Sequence, residues 1–385
     1  MRKLAAVIVI VIIAVASAEW LTSSSTLGYG PDDLNAPEIV LAEGSTINVP
    51  SSTPASSTPH GIKLGWTVTK DIYAGSGGAL WLKIENSHFG EVYVYGFGLV
   101  WDDGTSTRRN CSVHVPAGGA SSLGLLIFEA PDSPGNHSYH IVISMASTER
   151  SFNPFLGWDV TWGDHGEVSM SDSKSAQVLP LLDTTAPKVT DNVPAYYTRI
   201  NSLVSYEAAR EVADIVRAEW PGEYNILQVV EAFEWVRGTI EYREEEAGLD
   251  HWQSVEETLT LKAGDCEDHA ILLASTIGAL GGNARVNIIQ GHAFPTVFVG
   301  TTEQQMERVE EAIASYYGLP AEQLTASYLV DDMGYWLVID TTGFPYAGGI
   351  PAQSGRSTDG GWSMNSDYLY AIDATGDVSV DLFRF

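Results

Sequence analysis

The spacing of apolar residues changes character along the chain. Between residues 60 and 182 it comes in short alternating runs, such as 79–84 and 91–97, rich in β-branched and aromatic side chains and separated by Gly, Asn, Asp and Pro. Residues 123–128 and 138–144 continue at similar spacing. Alternation punctuated by turn residues predicts an all-β sandwich of the immunoglobulin-like type. Past Thr184-Thr185-Ala186-Pro187 the period lengthens. Ile226, Val229, Val230, Phe233 and Val236 fall on one face of a helix over 224–240, and a second helix is expected over 203–220, ended by Pro221-Gly222. A charged helix follows over 303–317, then a strand over 335–339 that runs into Asp340, and a Gly/Ser-rich tail with one short strand over 378–383.

The expected layout is therefore a β-sandwich over 60–183, an α+β domain over 190–350 and a C-terminal extension over 351–385. Two segments precede it. Arg2 and Lys3 lead into the apolar run 4–15, and Ala16-Ser17-Ala18 has the small-x-small form of a cleavage site, so residues 1–18 read as a signal peptide or an N-terminal anchor. Residues 19–59 have the Ser/Thr/Pro composition of a tether. Together they imply an extracytoplasmic protein, secreted or tethered to the cell surface. The only expected membrane contact is the N-terminal anchor.

Composition narrows the function. The 385 residues carry 20 Lys+Arg against 49 Asp+Glu, a formal charge of −29. Such a surface repels phosphate backbones, which argues against nucleic-acid binding. Two cysteines, Cys111 and Cys266, are too few for a disulfide scaffold or a four-cysteine zinc site. A pairing between them is disfavoured because they fall in different expected domains.

Cys266 stands in chemically pointed surroundings. In Gly264-Asp265-Cys266-Glu267-Asp268-His269 it opens an Ala/Leu-rich helix, where unpaired N–H groups and the helix dipole favour a thiolate and could supply part of an oxyanion hole. A nucleophilic cysteine needs a base, and the base needs an orienting acceptor. His292 opens a strand over 293–299 and Asp340 ends the strand over 335–339, so three separate elements could converge. A metal site from Cys266, His269, His292 and Asp340 lacks the closing spacings of zinc sites. Trp81, Tyr93, Tyr95 and Trp101 read as core and face residues of the sandwich rather than as a ligand platform.

The ordered set Gly264-Asp265-Cys266-Glu267-Asp268, Gly281-Gly282-Asn283-Ala284-Arg285-Val286, Gly291-His292-Ala293 and Trp336-Leu337-Val338-Ile339-Asp340 resembles the transglutaminase-like superfamily over roughly residues 200–345. The resemblance implies a papain-like α+β core with Cys266 as nucleophile, His292 as base and acid, and Asp340 orienting His292. Phe294 stands where many members have Trp. A charged insertion at about 301–334, between the His292 and Asp340 strands, is either a cap on the cleft or an ornament. Trp252-Gln253-Ser254-Val255-Glu256-Glu257-Thr258-Leu259 before the cysteine motif is similar to bacterial transglutaminase-like cysteine proteinases that process surface adhesins, with Val255 in place of the usual proline.

Trp252 is by position a candidate for the oxyanion or substrate site. That subgroup implies Asp265 and Glu267 as Ca²⁺ ligands. Two carboxylates alone fall short of the roughly 6–8 oxygens calcium takes, and the same residues also suit a helix N-terminus. No cofactor is required by the expected chemistry. The expectation is a cysteine peptidase or amidase acting on a protein or peptide at the cell surface. The alternatives are a protein cross-linking acyltransferase and a non-catalytic surface binding module.

Overall fold

The computed structural model describes residues 55–57, 61–69, 71–153, 157–169, 173–183, 188–189, 193–245 and 251–375. The signal peptide, nearly all of the tether and the strand expected over 378–383 lie outside the described residues. No helix among the described residues is long and apolar enough to cross a membrane.

The first half is a pair of β-sheets around one core. One sheet orders its strands Ala55–Ser57, Ile62–Val68, Gly78–Asn86 and Ala120–Phe128. The other orders Ile72–Tyr73, Lys174–Leu179, Gly135–Asn153, Val92–Trp101 and Ser106–Val115, with Gly157–Ser169 also paired to Gly135–Asn153. Alternation along the strands builds this core: Ile62, Leu64 and Trp66 point inward from one sheet and Val92, Val94, Phe97 and Leu99 from the other, all buried in a shared cluster. Trp81 is an exception, as are Tyr73, Ala79 and Leu125. Trp81 is fully buried, but against the second half of the molecule.

The second half is mixed α/β. Its six-stranded sheet runs Lys188–Val189, Tyr368–Asp373, Ala284–Ile289, His292–Gly300, Gly334–Val338 and Tyr328–Asp331. The helix Cys266–Leu280 packs on the two central strands Ala284–Ile289 and His292–Gly300, and the helices Arg210–Glu219 and Ile226–Thr239 pack on that helix. Ile226–Thr239 starts where Asn225 caps it, its side chain accepting from the Leu227 and Gln228 N–H groups.

Three expectations need correction. The helix expected over 203–220 is shorter, Arg210–Glu219, because Val204 turns extended and the Ser205 hydroxyl accepts from the Ala208 N–H, closing a local turn instead. Residues beyond 351 are not an appendage. Tyr368–Asp373 is an inner strand paired with Ala284–Ile289, and its neighbour Lys188–Val189 lies before the expected domain start. The insertion is not an ornament. Its helix, Glu303–Tyr316, begins past Gly300, at the opposite end of the His292–Gly300 strand from His292, a span of roughly 25 Å at strand rise.

That helix instead builds the core and the joint between the halves. Met306, Val309 and Ile313 are buried, and the Tyr316 and Tyr317 hydroxyls donate to Glu231 and Glu234 at 2.7 Å each. The Trp81 ring meets Tyr317 edge-on at 6.0 Å and lies 5.6 Å from the Arg237 guanidinium. Arg109 donates to the carbonyls of Leu125 and Gly318, and the Tyr73 hydroxyl donates to the Ser354 carbonyl at 2.9 Å. Cys111 and Cys266 are both free thiols.

Candidate active site

Cys266 is the first residue of its helix, with Asp265 at the N-cap. The strand pair Glu241–Tyr242 and Ala263–Gly264 leads the chain into that helix. Gly264 is required by a close approach: a Cβ there would lie 2.6 Å from the Asp268 Cβ and 2.7 Å from its Oδ2. With that space open, the buried Asp268 carboxylate accepts from the Asp265 N–H at 3.3 Å and from the Gln253 N–H at 2.8 Å. One side chain thus ties the segment before the helix Val255–Leu261 to the turn that carries Cys266. Burial raises the Asp268 carboxyl to about 6, against the pull of those two N–H donors.

His292 opens its strand directly after the hairpin turn from Ala284–Ile289, where Ile289 pairs with His292. Its Nε2 is 2.7 Å from Asp340 Oδ2, with both residues buried. Asp340 sits two residues past the strand Gly334–Val338 and is held from several sides. Oδ1 accepts from the Thr342 N–H at 2.9 Å and the Thr342 hydroxyl at 2.8 Å, and Oδ2 accepts also from the Ala352 N–H at 2.8 Å. Gly343 lets that loop fold back, since a Cβ there would meet the Ile350 carbonyl at 2.6 Å and the Ala352 nitrogen at 2.9 Å. Burial acts to raise the Asp340 carboxyl, but His292 and these donors outweigh it and hold it below the ordinary range. An ionised Asp340 requires the proton of a neutral His292 to be on Nε2, which leaves Nδ1 as the basic nitrogen.

Cys266 opens the helix that packs on the strand His292 opens, and the backbone of Ala293, the residue after the histidine, acts to lower the thiol. Among the described residues the Cys266 Sγ is bonded to Glu267 Oε2 at 3.1 Å and not to His292. The expected depression of the thiol by the helix dipole is reversed. Burial comes first, then the charge of Glu267 and its hydrogen bond, and together they push the thiol up despite the Ala293 backbone. The sequence could not expose this, because it depends on Glu267 turning toward its neighbour.

Asp265 is also pushed up, to about 8, by burial first and then by Glu267 and its hydrogen bond. Its Oδ1 is buried without a partner among the described residues. No group of three metal-ligating side chains occurs among the described residues, so this donor set does not complete a calcium shell. Cys266, His269, His292 and Asp340 likewise do not form a metal-binding group among the described residues. His269 is buried, its Nδ1 2.9 Å from the Thr341 hydroxyl, and burial lowers it to about 4, so it is neutral near pH 7 and supports the turn after Asp340.

Trp252 is buried in an aromatic stack. Its ring lies parallel to Tyr197 at 6.0 Å and edge-on to Tyr196 at 5.7 Å, with the Arg199 guanidinium 4.3 Å from its centroid. Tyr242 carries no motif that would single it out in the sequence. It precedes the cysteine turn by one paired strand, is 48% exposed, and meets His269 edge-on at 6.1 Å.

Residues 250–320 match the family model of the CEP76 peptidase-like domain. The matched stretch carries Trp252, Asp265, Cys266, Glu267 and His292, ends before Asp340, and agrees with the transglutaminase-like, papain-like resemblance. Among solved structures, the chain is similar to a “putative protease” from Parabacteroides distasonis, with 10% identity, a TM-score of 0.23 and 63% of each chain covered. It thus spans under two thirds of that protein's length. It is also similar to a “putative cysteine protease” from Cytophaga hutchinsonii, with 12% identity, a TM-score of 0.23, and 86% of this chain and 95% of that one covered. No curated protein matches the sequence.

Proposed function

We propose that the protein is a cysteine peptidase or amidase that hydrolyses an amide bond through a Cys266 acyl-enzyme. The observation that carries this is the buried His292–Asp340 pair, with Nε2 2.7 Å from Oδ2, at the start of the strand on which the helix opened by Cys266 packs. The peptidase-like description of the family model over residues 250–320 supports the same reading.

In this mechanism His292 Nδ1 takes the thiol proton as Sγ attacks the amide carbonyl carbon. The carbonyl electron pair moves onto oxygen, and its return expels the amine, which receives the proton from His292. Asp340 stabilises the imidazolium formed in between. Because burial and Glu267 disfavour a standing thiolate, proton transfer accompanies attack, and Glu267 must release Sγ first. Water then attacks the thioester with His292 as base. The same acyl-enzyme would cross-link proteins if an amine replaced water.

The substrate in this proposal is a protein or peptide outside the cytoplasm, met by an enzyme secreted or tethered through residues 1–59. The leader-like run 4–15 and the Ser/Thr/Pro tether support that location. The sandwich is taken as an immunoglobulin-like spacer, supported by its two packed sheets. The test is labelling of the purified protein with a thiol-reactive probe near neutral pH. Cys266 is expected to react, Cys266→Ala to abolish the signal, and His292→Ala to slow it. If His292→Ala leaves the rate unchanged, the enzymatic reading fails.

A further inference from the structure

The joint between the two halves holds a cavity of about 330 Å³. It is lined by Arg108, Arg109 and Asn110 of the edge strand Ser106–Val115 and by Gly318, Pro320 and Gln323 of the segment after the helix Glu303–Tyr316. That volume lies at the lower end of small-molecule sites. We propose that this cavity binds a small oxyanion, a carboxylate or a phosphate, through the Arg109 guanidinium, and that the bound anion bridges the sandwich to the second half. The inference goes beyond the acyl-enzyme reading and does not depend on it.

Arg109 is a cation without a counter-charge. It is half-buried, yet it forms no ion pair among the described residues and no carboxylate acts on it. The other arginine at the joint, Arg237, shows the usual arrangement for a buried charge, paired with Glu234 at 2.5 Å. Arg108 is likewise matched, because Glu167 accepts from its Nε at 2.7 Å and its Nη2 at 3.0 Å, so it walls the cavity without adding net charge. Arg109 also keeps donors in hand. Its Nη1 donates to the Leu125 carbonyl and its Nη2 to those of Tyr317 and Gly318, which leaves the Nε–H and one Nη1 N–H uncommitted. The Asn110 and Gln323 carboxamides on the rim are exposed and make no hydrogen bond among the described residues. A guanidinium with uncommitted N–H groups, flanked by carboxamides, recognises carboxylate or phosphate oxygens. The chain's charge of −29 opposes anions at long range, but exposed charges are largely screened beyond about 8 Å at physiological salt.

The test is thermal unfolding of the full chain in succinate and, separately, in inorganic phosphate, each compared with sodium chloride at equal ionic strength. General salt effects appear in every variant, whereas occupancy of the cavity depends on its lining. The wild type is expected to show a saturable Tm rise of about 2–4 °C. A rise with succinate alone assigns the ligand as a carboxylate, and a rise with phosphate alone assigns it as a phosphate. Arg109→Gln should raise the half-saturating concentration by about tenfold or more. The double variant Asn110→Ala/Gln323→Ala should raise it several-fold, and it reads the site even if Arg109→Gln loosens the joint, because those two side chains hold nothing within the fold. No saturable rise in the wild type with either anion, or equal rises in the wild type and both variants, overturns the assignment.

Discussion

Replacing Asp340 by Asn keeps the shape of the side chain and removes its charge. The carboxylate accepts four hydrogen bonds, from His292 Nε2, the Thr342 N–H and hydroxyl, and the Ala352 N–H. An amide placed with its oxygen toward His292 and Ala352 keeps those two. Its NH₂ then faces Thr342, whose hydroxyl can turn to accept but whose N–H is left without a partner, a cost of roughly 1–3 kcal/mol. The larger effect falls on the reaction. A carboxylate–imidazolium pair at about this range is worth roughly 4 kcal/mol at an effective dielectric near 20, which is about 10³-fold in rate. Stability should also lose a pH dependence. The Asp340 carboxyl is held below the ordinary carboxylate range, so its stabilisation is present above that range and is lost as pH falls through the lower, folded-state value. Denaturant unfolding from pH 7 downward should therefore converge for wild type and Asp340→Asn at acid pH, with the gap largest near neutrality. Cys266 acylation measured in parallel should fall by about 10³-fold. An acylation rate within about threefold of wild type would refute the assigned role of Asp340.

Glu267→Gln removes the charge that, after burial, most disfavours the Cys266 thiolate, so iodoacetamide labelling near pH 7 should speed up several-fold and its pH midpoint should fall. Asp265 is raised to about 8, so the folded state binds its proton more tightly and stability declines as pH rises from about 4 to that value. Asp265→Asn should flatten this decline, seen as a Tm gain at pH 8 and little change at pH 4. Added CaCl₂ should leave the Tm unchanged. A calcium-dependent rise that Asp265→Asn abolishes would mean the pair recruits further oxygens. Trp81→Ala removes a fully buried side chain at the joint between the halves and should cost about 3–5 kcal/mol of stability while leaving the iodoacetamide rate of the folded protein unaltered.

Part of the site was legible because its residues mark element ends. Glycine and acids before an Ala/Leu run identify a helix start, which places Cys266, and the turn Gln290-Gly291 before an apolar run places His292 at a strand start. Strand ends also made Asp340 visible. What joins these points was not legible, since it depends on contacts made far along the chain. Ala352, in the segment read as an extension, donates to Asp340, and Tyr368–Asp373 enters the sheet from a stretch whose Gly and Ser neighbours mask it. The charged faces of the 303–317 segment suggested an exposed insertion, but its apolar stripe of Met306, Val309 and Ile313 is core. Periodicity announces that a helix has a buried face and does not say which partner covers it.

The central claim is that Cys266 forms an acyl-enzyme with His292 as its base. It is tested most directly by trapping the adduct from p-nitrophenyl acetate at low pH and mapping it by mass spectrometry. The account predicts an acetyl group on Cys266 and not on Cys111, absent in Cys266→Ala and formed far more slowly in His292→Ala. Acetylation of Cys111 alone, or an equal rate on Cys266 with and without His292, would contradict it.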